Sequence, residues 1–83
     1  MPRSQFSRAY KILAAAIVDA RRRSGLTQED LAKRLGVPQS RISNMESGLR
    51  RVDLVELVWL ADATGADLAA IVEAVSTVAR EDK

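Results

Sequence analysis

The fold of this chain is decided by residues 27–48, which read TQEDLAKRLGVPQSRISNMESG. Thr27 is a favourable N-cap, and Asp30 three residues later gives a short form of the capping box. Gly36 suits the left-handed residue that ends a helix. The first half of the stretch therefore predicts a short helix over about residues 28–35.

The second half of the stretch predicts a mostly polar helix over about residues 38–47. Pro38 fits its first position, where a missing N–H does no harm, and Gly48 suits its end. Its only large apolar residues are Ile42 and Met45, so most of its circumference is expected to face solvent. Its polar side chains include Gln39, Ser40, Arg41, Ser43, Asn44 and Ser47.

Three further helices are predicted around this pair. The first covers about residues 5–24 and carries an apolar stripe, which includes Tyr10, at helical spacing. The fourth follows Asp53 as N-cap, with Glu56 at the capping-box position, and the fifth follows Asp67 as N-cap. Residues 80–83 are expected to fray. Because strand signals are absent, we predict a single compact all-α domain of five helices over residues 1–83.

The composition excludes several classes of function. The 83 residues include no cysteine and no histidine, which removes thiolate ligands and the commonest general base and metal ligand. No apolar run approaches the ~20 residues of a membrane span, and no secretory signal is present. We therefore predict a cytoplasmic protein that is not an enzyme, with no metal, cofactor, small-molecule ligand or membrane partner.

Charge is distributed unevenly along the chain. Residues 1–51 contain eleven Lys/Arg and four Asp/Glu, a net charge of +7, whereas residues 52–83 contain two and seven, a net charge of −5. A basic N-terminal part indicates a polyanionic partner. The alternative is chance clustering of solvated charges.

The residues of the central stretch resemble the helix-turn-helix of the Cro/lambda-repressor family, also called the Xre family. The shared residues are Leu26-Thr27-Gln28, Leu31-Ala32, Leu35-Gly36-Val37, Ile42-Ser43 and Glu46-Ser47-Gly48, and further on Leu60-Ala61, Gly65 and Asp67-Leu68. The resemblance covers about residues 12–75. It implies a five-helix DNA-binding domain, lambda-repressor-like, in which helices 2 and 3 form the helix-turn-helix.

Helix 3 is the expected recognition helix, because an α-helix fits the major groove of B-DNA. Gln39, Ser40 and Asn44 fall within about 140° on the helical wheel, so we predict that they read base edges. Arg41 is a further readout candidate that reaches either guanine or a phosphate. The alternative is a solvated polar helix face.

Contacts to the DNA backbone are expected from Gln28, Ser43, Arg50 and Arg51. The resemblance implies that Gln28, at the start of helix 2, binds a phosphate, while a second capping role is the alternative. Arg50 and Arg51 follow helix 3, where the family loop often touches the backbone; a solvated basic loop is the alternative. Ser43 is a weaker phosphate candidate.

Arg21 and Glu46 have a different expected role. The resemblance implies that these motif positions form an internal ion pair, which would lock the recognition helix against helix 1. We therefore predict that Arg21 is structural.

A homodimer interface is predicted on the last two helices. Val55 and Trp59 are four residues apart and should point away from the core as an exposed apolar pair. On helix 5 the candidates are Leu68, Val72 and Val75. The alternative is that helix 1 or helix 5 covers Trp59 within one chain and that the helix 5 stripe is core.

The leading functional hypothesis is a sequence-specific regulator of transcription that binds double-stranded DNA, of prokaryotic or phage type. It would be a homodimeric repressor on a palindromic operator, nucleoid-associated when bound. One alternative is an antitoxin-type protein-interaction module of the same fold. Another is the controller protein of a restriction–modification operon.

Overall fold

The structure, a computed structural model, describes residues 8–82. This part of the chain contains five α-helices and no strand: α1 (Arg8–Arg23), α2 (Gln28–Leu35), α3 (Gln39–Ser47), α4 (Leu54–Thr64) and α5 (Leu68–Asp82). The predicted all-α fold is therefore confirmed. The expected start of the first helix at about residue 5 lies outside the described residues.

Reciprocal capping boxes start α2 and α4, as predicted. The Thr27 hydroxyl accepts the Asp30 N–H at 3.0 Å, and the Asp30 carboxylate accepts the Thr27 N–H at 3.0 Å. Asp53 and Glu56 repeat the arrangement at 2.7 and 3.1 Å. Each box supplies acceptors to N–H groups that have no partner within the helix.

The start of α3 differs from the prediction by one residue. Pro38 is the N-cap and not the first helical residue, because its ψ of 148° is extended. Its carbonyl nevertheless accepts the Arg41 N–H at 3.0 Å, so Pro38 stands where the chain turns into the helix. Gln39 is thus the first residue of α3.

The described C-terminal end is helical. Residues 80–82, where fraying is expected, continue α5, and residue 83 lies outside the described part. The Asp82 carboxylate accepts the Ala9 N–H at 3.0 Å, and Glu81 pairs with Arg8 at 2.6 Å. These contacts attach the end of α5 to the beginning of α1, which sequence-local reasoning did not foresee.

The core joins all the helices around the motif. Leu31 of α2 and Ile42 of α3 are both 0% exposed, so the two motif helices meet at its centre. The central cluster is Leu13, Ile17, Leu31, Ala32, Ile42, Met45, Leu57 and Leu60. Helix α5 packs mainly along α1 and has no fully buried residue. In the described residues, no helix is long and apolar enough to cross a membrane.

Candidate nucleic-acid interface

Helix α3 presents a continuous polar face to solvent. Gln39, Ser40, Asn44 and Ser47 are exposed, while Ile42 and Met45, on the opposite side, are 0% and 3% exposed. At about 100° per residue, the four exposed residues span roughly 140° of the helix circumference. The structure therefore brings the three predicted readout residues to one surface.

Ser43 and Arg41 are both half-buried. On the wheel, Ser43 lies within this face, between Gln39 and Ser47, and Arg41 lies beyond its other edge, next to Met45. Arg41 is directed toward α4, where its Nη1 is 3.9 Å from a Glu56 carboxylate oxygen. Arg41 thus flanks the readout face.

A chain of hydrogen bonds connects the readout face to the interior. Gln39 Nε2 donates to Gln28 Oε1 at 3.3 Å, and Gln28 Nε2 donates to Glu46 Oε1 at 2.9 Å. Glu46 in turn accepts two hydrogen bonds from Arg21. The side chain of Gln28 is therefore held between two residues of α3, and it orients the amide of Gln39.

Arg21 and Glu46 form a bidentate ion pair. Arg21 Nε donates to Glu46 Oε2 at 2.6 Å, and Nη2 donates to Oε1 at 3.0 Å. The side chains are only 11% and 6% exposed. The remaining Arg21 Nη1 donates to the Leu26 carbonyl at 2.9 Å. The pair thereby connects α1, the turn before α2, and α3, as the resemblance implied.

The charge state of Glu46 follows from these partners. Burial acts to raise the pKa of Glu46, but hydrogen bonds from Arg21 and Gln28 and the charges of Arg21 and Arg22 outweigh it, so the pKa lies below its ordinary value of 4.5. The hydrogen bond to Glu46 raises the pKa of Arg21, against a smaller effect of burial. Both groups are therefore charged near neutral pH.

Arg50 is held by α4 as well as by its position after α3. Its Nη1 lies 3.1 and 3.0 Å from the two Glu56 carboxylate oxygens and 3.0 Å from the Arg51 carbonyl. Its backbone N–H donates to the Asn44 carbonyl at 3.1 Å. Arg50 therefore lies at the end of the recognition helix, with its guanidinium on Glu56.

Arg51 contacts α1. Its Nε donates to the Tyr10 hydroxyl at 3.0 Å, its Nη2 contacts the same oxygen, and its guanidinium carbon is 4.7 Å from the ring centroid. The side chain remains largely exposed, so this cation–π contact positions a charge without removing it from solvent.

Three contributors to this surface were not identified from the sequence. Ser47 lies near the middle of the exposed face, and a wheel extended to the end of α3 would have included it. Glu56 was interpreted only as a capping residue, and Tyr10 only as part of an apolar stripe. Glu56 contacts Arg41 of α3 and Arg50 of the following loop, and Tyr10 of α1 contacts Arg51 of the same loop. These contacts depend on tertiary packing, so no local spacing signals them.

The structure places the predicted dimer-interface residues in two different environments. Val55 and Trp59 are 55% and 54% exposed, and Val72 is 41% exposed, so no described helix covers Trp59. Leu68 and Val75, by contrast, pack against the core within the chain. Together with Ile71 they form the side of α5 that packs on the core, because α5 lies mainly along α1. The exposed α4 pair is extended by Leu54, which is 69% exposed.

Comparison with known proteins agrees with this geometry. A family model described as helix-turn-helix matches residues 17–71, more than half of the chain. The search of the curated proteins gave no match. Among solved structures, an XRE-family like protein from Pseudomonas syringae pv. tomato str. DC3000 is 35% identical, with a TM-score of 0.76 over 83% of this chain and 84% of that one. The clp gene regulator ClgR from C. glutamicum is 25% identical, with a TM-score of 0.73 over 93% and 94%. The chain therefore belongs to the Xre family of helix-turn-helix DNA-binding proteins.

Proposed function

We propose that this DNA-binding transcription regulator acts as a homodimeric repressor that recognises a palindromic operator through α3. In this proposal α3 enters the major groove, and repression follows from occlusion of the promoter. The protein would act in the cytoplasm of a prokaryotic cell, on the nucleoid. The observation that carries the proposal is the hydrogen-bond chain from Arg21 through Glu46 and Gln28 to Gln39.

Base readout is assigned to Gln39, Ser40 and Asn44. Gln and Asn side chains pair bidentately with adenine, and Ser is less selective. Gln39 is held by Gln28 at 3.3 Å, so its amide is already oriented before DNA arrives. Such preorganisation reduces the entropy lost on binding, which supports Gln39 as the main reader of adenine.

Phosphate contacts are assigned to Gln28, Ser43, Arg50 and Arg51. Gln28 is the first residue of α2, where backbone N–H groups also point outward. Ser43 lies between Gln39 and Ser47 on the wheel of α3, and the two arginines follow the end of α3 after Gly48 and Leu49. Backbone contacts of this kind fix the register of the protein on DNA.

Two copies are needed for a selective site. The nine residues of α3 are about 14 Å long, which matches about four base pairs at ~3.4 Å each. A four-base-pair site recurs often in any genome, so a second recognition helix about 34 Å away would supply the missing selectivity. The exposed Val55, Trp59 and Leu54 of α4 favour a two-fold contact between copies.

The test is selection of bound sites from random duplexes, followed by binding of the selected duplex to variants. We expect inverted half-sites, and we expect Gln39→Ala with Asn44→Ala to lose roughly tenfold or more of the preference, since a good bidentate pair discriminates by about 1–3 kcal/mol. Thr77→Ala, on the exposed side of α5, is the control and should change nothing. Unaltered selectivity in the double variant would refute the readout assignment, and toxin capture without any DNA preference would favour the antitoxin alternative.

A further inference from the structure

We propose that Glu56 competes with DNA phosphate for Arg41 and Arg50, so that these arginines transfer only to a well-matched duplex. Glu56 is in this view a specificity determinant that never touches DNA. The inference rests on the proposed function, because it describes how two arginines beside the readout face become available.

The carboxylate of Glu56 is fixed on α4 while the arginines reach it from outside. Glu56 is 8% exposed, and its Oε1 accepts the Asp53 N–H at 3.1 Å in the capping box. The side chains of Arg50 and Arg41 are 38% and 42% exposed. The acid is therefore held by its capping bond and mostly shielded from water, and the two bases retain access to solvent.

The two arginines are held with different strengths. Arg50 Nη1 lies within hydrogen-bonding distance of both Glu56 oxygens, at 3.1 and 3.0 Å. Arg41 Nη1 is 3.9 Å from Oε2, which is an ion pair without a hydrogen bond. Arg41 should therefore be released more easily than Arg50.

Both arginines lie where a duplex on α3 would present phosphates. Arg41 borders the readout face, and the Arg50 N–H is bonded to the Asn44 carbonyl at the end of α3. Since the backbone of Arg50 is fixed there, only its side chain has to move. A guanidinium binds the oxygens of a carboxylate and those of a phosphate with similar geometry, so an exchange between them is chemically direct.

The exchange has an unfavourable component that depends on Glu56. Moving both arginines away leaves a buried carboxylate with only its capping N–H, which is costly. A duplex that also forms base contacts with α3 offsets this loss, whereas a random duplex, held by its phosphates alone, does not. Glu56 should therefore weaken non-specific binding more than specific binding.

Glu56→Gln tests this directly, because Gln can keep the capping bond but removes the negative charge. In binding to a random-sequence duplex, we expect affinity to rise on the order of tenfold at low salt. The salt slope, which is the slope of log K against the logarithm of the salt concentration, should steepen by about 1–2, at ~0.9 per phosphate contact. The control is Glu73→Gln, which makes the same change of charge at an exposed position of α5. Its slope should equal that of the wild type.

An equal gain in both variants, or an unchanged slope in Glu56→Gln, would overturn the inference while leaving the proposed function intact. If instead the wild-type protein preferred no duplex sequence, the proposed function itself would fail. These two failures are therefore distinguishable from the same set of binding curves.

A second measurement needs no substitution at Glu56. With 15N-labelled arginine, the side-chain resonances of Arg41 and Arg50 in the wild-type protein should keep their free-state positions in the presence of a random duplex. They should shift when the selected duplex is added. Equal shifts with both duplexes would show that Glu56 does not retain the arginines, and would refute the inference.

Discussion

Glu46 contributes both to the stability of the fold and to the orientation of the predicted DNA-facing surface. One of its oxygens accepts both Arg21 Nη2 and Gln28 Nε2, while the other accepts Arg21 Nε. Because the carboxylate is largely shielded from solvent, its charge is compensated mainly by these donors, with a further contribution from the charge of Arg22. Loss of any donor should therefore affect both folding and readout.

Glu46→Ala should lower the free energy of unfolding by about 3–5 kcal/mol, because it leaves the guanidinium of Arg21 buried without its counter-ion. Chemical denaturation measures the effect. The matched control is Arg23→Ala, which removes an exposed ion pair with Asp19 and should cost no more than about 0.5 kcal/mol. Similar losses in the two variants would contradict the structural role of Glu46.

The stability of the fold should depend on pH through the same carboxylate. The folded-state pKa of Glu46 lies below its ordinary value of 4.5, so the folded state favours the ionised form. Its contribution is complete above the unfolded-state pKa and is lost as pH falls through the lower folded-state pKa. Below about pH 4.5, we expect the free energy of unfolding to fall less steeply with decreasing pH in Glu46→Gln than in the wild type. Acid unfolding followed by circular dichroism measures this dependence. An identical pH dependence in Glu46→Gln and the wild type would show that Glu46 is not the carboxylate responsible.

At the scale of elements, the capping box at the start of α2 holds Gln28, whose side chain contacts α3. Gln28 directly follows Thr27, and the box fixes the turn from which its side chain reaches Glu46 and Gln39. A frayed first turn would release Gln28 before any other part of the motif.

Thr27→Ala should cost about 1 kcal/mol of stability, because the Asp30 N–H loses its acceptor. Thr27→Ser keeps the hydroxyl and is the control, with a change of no more than a few tenths of a kcal/mol. Thermal denaturation compares the two. If the Ser and Ala variants were equally destabilised, the hydroxyl would not be the group that matters.

The limits of each helix were largely predictable from sequence because their causes are local. Thr27 and Asp53 start helices, and Gly36 and Gly48, with φ of 69° and 84°, end them. The continuation of α5 through residue 82 was not predictable, because it depends on contacts with the far end of α1.

The candidate site likewise has one part that the sequence predicts and another part that it does not. Gln39, Ser40 and Asn44 share a face by helical periodicity alone, so the sequence was sufficient to group them. The contacts of Glu56 with Arg41 and Arg50 depend on how α4 is placed relative to α3 and the loop that follows it, and that placement has no signature in residue spacing. The pairing of Arg21 with Glu46 was accessible only through the resemblance to a family.

At the scale of the whole molecule, α4 carries an apolar surface that the described chain does not cover. Leu54, Val55 and Trp59 are 69%, 55% and 54% exposed. Exposed apolar side chains that cluster on one helix are typical of an interaction surface. A second copy is the partner that the proposed operator symmetry requires.

We expect the wild-type protein to sediment as a dimer at about 10 µM, because useful dimers have a Kd well below that concentration. Trp59→Glu should sediment as a monomer, because it places a charge within the apolar α4 surface. The control is Leu49→Glu, at a residue 69% exposed outside the α4 surface, which should remain dimeric. Thermal denaturation of the same samples verifies folding. A monomeric wild type at this concentration would count against the α4 surface.

The division of α3 into a buried side and an exposed side also makes the protein open to retargeting. Ile42 and Met45 attach the helix to the core, whereas Ser40, Asn44 and Ser47 lie in solvent. A combinatorial library at these three positions should therefore yield new operator preferences without loss of the scaffold. Position 39 is less free to vary, because its side chain is bonded to Gln28. Natural divergence of operators should have followed the same path, through the exposed positions first.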